Sequence, residues 1–193
     1  MNLTKMLFDL RTTLPSPWGD RMWIVEPGEF YRSRLLDPRE IEQVRDEYGT
    51  NSVISLLGKY PNPDWLDREI ETCERLGMGF HNLKVETPRD FNDMGKIENL
   101  IGIYNECDIP ILVHCLYGSD RCGVASFVYQ RFFKDRPFGE AERQLSLKYG
   151  HFGKFPLVHN EYRELLGGIE KEYGNLKALV RDKWKGDLGL NVL

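Results

Sequence analysis

A cysteine and an arginine lie six positions apart (121 − 115 = 6), with a glycine between them, in the stretch His114-Cys115-Leu116-Tyr117-Gly118-Ser119-Asp120-Arg121-Cys122-Gly123. These residue types at this spacing suit nucleophilic chemistry on an anion. The apolar run Ile109-Pro110-Ile111-Leu112-Val113 leads in as a buried strand. Gly123 to Phe133 follows as a helix with apolar positions at Val124, Phe127, Val128 and Phe132. Between strand and helix the backbone must turn sharply. Successive N–H groups in such a turn converge on a bound anion, aided by the positive end of the following helix. Arg121 adds a planar fork of donors matched to two phosphate oxygens. In that field Cys115 is favoured as thiolate, the nucleophilic form of sulfur. The chemistry implied is phosphoryl transfer to sulfur.

His114 through Arg121 resembles the His-Cys-x5-Arg signature of the cysteine-dependent protein tyrosine phosphatase superfamily. The Gly-x-Asp-Arg variant and the short chain are most similar to compact dual-specificity-type phosphatases of bacteria. Phe30-Tyr31-Arg32-Ser33 and Tyr149-Gly150-His151-Phe152 fit the same group, and the similarity runs from about residue 22 to about residue 170. The resemblance implies a phosphomonoesterase working through a phosphocysteine. Cys115 would be the nucleophile and Arg121 the phosphate clamp, with Leu116, Tyr117, Gly118, Ser119, Asp120 and Cys122 lining the anion. Tyr117 is also placed to form part of the pocket wall. The histidine before the nucleophile, His114, takes a supporting role, ordering the loop and helping to hold the thiolate. A side chain at Gly118 would crowd the phosphate or clash with a positive φ. After the arginine the family usually carries Ser or Thr. Here Cys122 stands instead, a weaker hydrogen-bond donor, a possible disulfide partner for Cys115 under oxidation, or simply a small residue in the first helical turn. No metal or cofactor is implied.

The leaving oxygen needs a proton, and in related enzymes an aspartate on the loop after the preceding strand supplies it. That loop is Glu86-Thr87-Pro88-Arg89-Asp90-Phe91-Asn92-Asp93. Asp90 lies 115 − 90 = 25 residues before Cys115, and Asp93 lies 115 − 93 = 22 before it. Asp90 is preferred, being on the loop proper and stiffened by Pro88. Asp93 reads equally as a helix N-cap, and Glu86 is a third candidate. Arg89, if paired with Asp90, would lower the pKa of the acid, so it is expected to point elsewhere, toward substrate.

Phosphotyrosine is the first substrate expectation, followed by phosphoserine and phosphothreonine and then small phosphoesters. An inositol phosphate or phosphoinositide is the alternative, weakened because the loop has no lysine and Asp120 adds negative charge. Arg32, Arg34, Lys84, Arg89, Lys148, His151 and Lys154 are the cations available to surround the mouth. Two other classes compete: a rhodanese-type sulfurtransferase, which also places a cysteine in an anion-cradling loop, and a pseudophosphatase that binds phosphorylated partners without turnover.

The chain has 193 residues, 41% hydrophobic and 29% charged, enough for one good core and short for two. A formal charge of −4 argues against general nucleic-acid binding. No apolar run approaches the ~20 residues of a membrane span. The N-terminal stretch lacks signal-peptide features, so the expected location is cytoplasmic. Cys73, Cys107, Cys115 and Cys122 show neither zinc-like spacing nor CxxC pairing and are expected as reduced thiols.

Alternation of strand and helix patterns predicts a single α/β domain. Its mainly parallel central sheet has about four to five strands with helices on both faces, as in dual-specificity phosphatases. Strands are expected at Met22–Val25, Glu29–Arg32, Asn51–Leu57, Phe80–Val85 and Ile109–Val113. Helices are expected from Asp37 to Tyr48, Asp64 to Leu76, Asp93 to Cys107, Gly123 to Phe133, Phe138 to Tyr149 and Val158 to Tyr173. Residues 1–21 read as an N-terminal extension, 22–175 as the phosphatase domain and 176–193 as a C-terminal tail.

Overall fold

In the computed structural model, which describes residues 22–59, 63–151 and 156–181, five strands form one sheet. They are β1 (Met22–Glu26), β2 (Phe30–Ser33), β3 (Ser52–Ser55), β4 (Gly79–Asn82) and β5 (Ile111–His114), in the order β1-β2-β5-β3-β4. Only the β1–β2 pair is antiparallel, joined through the Pro27-Gly28 turn; the other three pairings are parallel. The protein is a single α/β domain with a mostly parallel sheet, as the alternating pattern predicts.

Register determines which side chains reach which layer. β5 lies between β2 and β3, with His114 beside Ser33 and Ser55, and Val113 beside Arg32 and Ile54. Successive side chains of a strand point to opposite faces. One face carries Tyr31, Val53 and Leu112 against Leu36, Ile41, Cys73 and Met78, the layer of helices α1 (Pro38–Tyr48) and α2 (Pro63–Arg75). The other carries Phe30, Ile54, Ile111 and Val113 into the larger core under α3 (Met94–Glu106) and α4 (Asp120–Val128). There Phe30 stacks on Tyr129 with ring centroids 4.2 Å apart, and Tyr104 packs edge-on to both while its hydroxyl donates to Ala125 O at 3.0 Å. This aromatic cluster seats α4, and with it the Cys115 loop, on the sheet.

Local signals explain the helix ends. Asp37 accepts from Glu40 N at 2.9 Å while Glu40 accepts from Asp37 N at 3.1 Å, a reciprocal cap ahead of Pro38. Gly49, at φ +68°, closes α1 through its N–H to Arg45 O. Asp93 caps α3, whose Ile97, Leu100, Ile101 and Tyr104 are buried as their spacing predicts. β4 is shorter than expected, but the chain stays beside β3: Leu83 N donates to Ser55 O at 2.9 Å and Val85 N to Leu56 O at 3.3 Å.

Two helices differ from expectation. α4 begins at Asp120, three residues earlier than predicted, because Gly123 N already donates to Ser119 O at 2.8 Å and the end of the Cys115 loop is itself helical. A π-helical turn, Tyr129–Phe133, extends it. The predicted helix from Phe138 to Tyr149 is broken into α5 (Phe138–Ala141) and two 3-10 turns, Glu142–Gln144 and Leu147–Tyr149. Its break coincides with Gln144, whose carbonyl oxygen is taken by a distant arginine. α6 (Pro156–Lys171) and α7 (Tyr173–Ala178) follow, and Leu176 and Val180 complete the larger core. The predicted extension 1–21 and most of the predicted tail lie outside the described residues. Among the described residues no helix is long and apolar enough to cross a membrane.

Candidate active site

β5 ends at His114, and the chain then curls over the carboxyl end of the sheet, where ligands of such folds sit. Cys115 lies at the base of this curl and is only 2% exposed. Gly118, at φ +72°, reverses the backbone so that its N–H points back at the Cys115 sulfur, 3.3 Å away. The loop then enters α4 at Asp120, with Tyr117 exposed at the rim. A Cβ at Gly118 would sit 2.6 Å from Ser33 C, 2.7 Å from the Trp23 ring and 2.8 Å from Arg34 N. Glycine is therefore required by the β2 backbone behind the loop as well as by the positive φ.

Arg32 is the residue whose position the sequence most misleads about. It does not supply charge at the mouth: it is fully buried beneath the loop. Its Nε donates to Gly118 O at 3.0 Å, Nη2 to Ser119 O at 2.8 Å, and Nη1 to Gln144 O at 2.8 Å. Two loop carbonyls are thus drawn to the underside, while the Gly118 N–H is turned to the Cys115 sulfur. Tyr149 covers the guanidinium at 4.4 Å, which gives the Tyr149-Gly150 segment a structural reason. Behind it Gln144 bonds Gln130, and Gln130 bonds Glu26. A cavity of about 560 Å³ borders this network, lined by Glu26, Gln130, Arg136 and Gln144 among others, and does not include Cys115.

Burial alone would push the Cys115 thiol up. The Cys122 side chain, the Arg121 charge and the N–H groups of the loop reverse the sign and bring it down to about 5. Cys122 moves the opposite way, well above an ordinary thiol, through its own burial and the neighbouring Cys115 charge. It therefore stays protonated, and its single proton serves Cys115 or the carbonyls of Ser33 and Val113, at 3.7 and 3.8 Å. All four cysteines are free. Arg121 donates to Val85 O at 2.9 Å, tying the cysteine loop to the start of the loop that carries Asp90.

Two histidine–carboxylate pairs border the site. His114 Nε2 lies 2.6 Å from Glu69 Oε1 of α2, both side chains buried. The ring N–H is not in line with Oε1, so the contact is a close polar pair rather than a linear hydrogen bond. Asp120 pairs with His151 Nδ1 at 2.7 Å, and the His151 ring stands edge-on to Tyr162 of α6. Glu69 is the residue that sequence reasoning missed. On an amphipathic helix it reads as surface, and only its place on the buried face distinguishes it.

The acid candidates all have partners in this arrangement. Pro88–Asn92 forms a 3-10 turn in which Asp90 Oδ2 accepts from Glu86 N at 2.8 Å and Oδ1 from Thr87 Oγ1 at 3.0 Å. Partial burial pushes the Asp90 carboxyl up, but these bonds and Lys96 outweigh it and hold it below its ordinary value. Asp93 is the α3 N-cap, accepting from Gly95 N at 3.0 Å, and Glu86 pairs with Lys84 at 2.6 Å. Arg89 points away from Asp90, as expected, but toward Glu161 at 2.8 Å. Of the other cations proposed for the mouth, Arg34 pairs with Glu40, Lys84 with Glu86, and Lys148 lies over Tyr149. Lys154 lies outside the described residues. Among the described residues, no group of three or more His, Cys, Asp or Glu side chains is placed to hold a metal ion.

No protein-family model matches this chain, and no curated protein matches it in sequence. Solved structures do. A candidate phosphatase from Neisseria meningitidis Z2491 superimposes with a TM-score of 0.55 at 22% identity, covering 74% of this chain and 94% of the other. TpbA from P. aeruginosa gives 0.57 at 17% identity over 80% of this chain and 91% of its own. The core catalytic domain of the PP-IP phosphatase SIW14 from S. cerevisiae, in complex with citrate, gives 0.56 at 15% identity over 86% and 94%. At these identities the likeness establishes a shared fold.

The geometry generates two expectations. Iodoacetate inactivation through Cys115 should titrate with a midpoint near 5, well below the ~8.5 of a free thiol, and phosphate should protect. Because the thiolate is the favoured form, reactivity persists through neutral pH and is lost only as pH falls through that midpoint. Gly118→Ala should lower stability by about 2 kcal/mol or more, from αL strain plus the clash with Ser33 and Arg34, read as a fall in Tm relative to wild type.

Proposed function

We propose that this protein is a cysteine-dependent phosphomonoesterase whose first substrate class is phosphotyrosine, extending to phosphoserine and phosphothreonine. The observation that carries the reading is the Cys115 sulfur: buried at the base of a backbone curl, met by Gly118 N, and held as thiolate beside Arg121. In the first step sulfur attacks phosphorus, the S–P bond forms, and the P–O bond to the leaving group breaks. Arg121 and the loop N–H groups hold the phosphoryl oxygens, where negative charge gathers in the transition state. In the second step water attacks phosphorus and gives a proton to the Asp90 carboxylate left by the first step, the S–P bond breaks, and phosphate leaves with the thiolate restored. The Cys122 thiol is a donor to the departing sulfur, in the place where a hydroxyl is usual.

Asp90 is the proposed proton donor to the leaving oxygen. Its present bonds cap the 86–90 turn and favour the carboxylate, so donation requires it to release those bonds and take up a proton as it turns to the leaving group when substrate binds. Shared fold supports the reaction class: TpbA is also known with phosphotyrosine bound. SIW14 is a PP-IP phosphatase of the same fold, but here Arg34, Lys84 and Arg89 are held by carboxylates and Arg32 is buried, which supports a monoester over a polyphosphate.

Two measurements test this. Cys115→Ser should abolish para-nitrophenyl phosphate turnover while tungstate still binds, and Arg121→Lys should lose about 10²-fold or more because the fork is gone. Activity that survives Cys115→Ser and follows added divalent metal would overturn the mechanism, and thiosulfate-to-cyanide transfer without phosphatase activity would place the chain among sulfurtransferases. Asp90→Asn should reduce phosphotyrosine hydrolysis by roughly 10²–10⁴-fold and affect an activated aryl phosphate far less, since a good leaving group departs with little protonation. The same leaving-group dependence in Asp93→Asn, with Asp90→Asn near wild type, would transfer the role to Asp93.

A further inference from the structure

Glu69 has no part in the chemistry above, yet it is a carboxylate only 4% exposed, on the face of α2 that packs against the sheet. A carboxylate so buried needs a partner, and its partner is His114, 2.6 Å away and immediately before the nucleophile in the chain. The sheet explains why they meet. His114 shares its face with Tyr31, Val53 and Leu112, the face covered by α1 and α2, so the last residue of β5 points at α2 while Cys115 begins the loop.

Stability does not account for this pair. A buried ion pair replaced by apolar side chains of similar volume is often neutral or stabilising, and the neighbours of Glu69 include Leu36, Ile41 and Trp65. Its location against the nucleophile's neighbour is the distinguishing fact. The charged and titratable groups facing His114 are Glu69 from α2, Cys115 from its own segment and Arg121 from α4. Cys73, on α2, faces Glu69 and is pushed up to about 12, by burial first and then by Glu69, so it adds no charge. Burial alone would favour a neutral His114 ring, and Arg121 acts in the same direction. The Glu69 carboxylate and Cys115 together outweigh both, and the imidazole is held above its ordinary value.

We propose that Glu69 is a positioning residue for the nucleophile, acting through His114: its carboxylate keeps an imidazolium behind Cys115, and that cation favours the thiolate. The inference rests on the reading of Cys115 as nucleophile. Glu69 reaches the sulfur only through His114, and since His114 is the nearer group, the net effect of the pair on Cys115 is that of a cation.

The test is the pH dependence of iodoacetate inactivation in wild type, Glu69→Gln, His114→Asn and the double variant, with Tm measured for each. Glu69→Gln should raise the midpoint by about one unit, so that inactivation between the two midpoints slows by up to about tenfold. The acidic limb of kcat/KM should move with it. His114→Asn should raise the midpoint as much or more, and the double variant should add nothing to His114→Asn. A Glu69→Gln midpoint equal to wild type, with or without a lower Tm, makes Glu69 a packing residue and overturns the proposal. Additive shifts in the double variant overturn the route through His114. If Glu69→Gln does not fold, His114→Asn decides alone, since an unshifted midpoint there removes the group through which Glu69 acts. A wild-type midpoint near 8.5 is a different failure: it removes the nucleophile, whereas a low wild-type midpoint unmoved by the variants removes only the role of Glu69.

Discussion

Placing negative charge on a sulfur that is 2% exposed is unfavourable by itself, and the structure around Cys115 is organised to reverse that sign. Gly118 N, the Cys122 thiol and Arg121 each act on the sulfur from within the loop or its helix. None of them holds this position without help. Gly118 depends on a left-handed backbone and on bare space against Ser33 and Arg34. Arg121 is steadied by Val85 O, and α4 is seated by the aromatic cluster of Phe30, Tyr104 and Tyr129.

The sheet delivers this support from both sides at once. β2 and β5 are parallel and in register, so alternate residues at their carboxyl ends face opposite layers. Arg32 of β2 goes to the α4 side and gathers the carbonyls of Gly118, Ser119 and Gln144. His114 of β5 goes to the α2 side and meets Glu69. One cation fixes the shape of the loop by occupying its outward carbonyls, and the other lies against the first residue of the curl. Two buried polar groups at the edge of an apolar core would each be costly alone. Each meets partners from separate helices or turns, Arg32 donating to the carbonyls of Gly118, Ser119 and Gln144 and His114 lying 2.6 Å from Glu69, which makes the loop geometry a property of the whole domain.

The acid loop follows a different logic. Its short turn is held by the very carboxylate proposed for proton transfer, because Asp90 accepts from both Glu86 N and Thr87 Oγ1. Arg121 bonds the carbonyl of Val85 at the base of the same loop. Under the proposed role of Arg121, a bound phosphate would therefore act on the anchoring of the Asp90 loop as well.

Much of this was legible in the sequence, and the part that was not has a common physical cause. Local rules located α1 from Asp37, Pro38 and Gly49, α3 from its apolar spacing, and the sharp turn between β5 and α4 from Cys115, Gly118 and Arg121, since each signal lies within a few residues of the feature it specifies. Tertiary structure alone decided where charges go. Arg32 looked like a cation for the mouth and is buried under the loop, because three carbonyls 86 to 112 residues away need its donors. The stretch from Phe138 to Tyr149 has a helical pattern and breaks where the Gln144 carbonyl is turned out to that same arginine. Glu69 looked like one more surface acid of an amphipathic helix and is paired with His114, 114 − 69 = 45 positions on. Sequence by itself determined the fold class and the turn that brings Cys115 and Arg121 together, because propensity, capping and loop chemistry are local. Which buried polar group satisfies which was settled only by packing, because hydrogen bonds and ion pairs in a low-dielectric interior depend on distances that the order of residues does not contain.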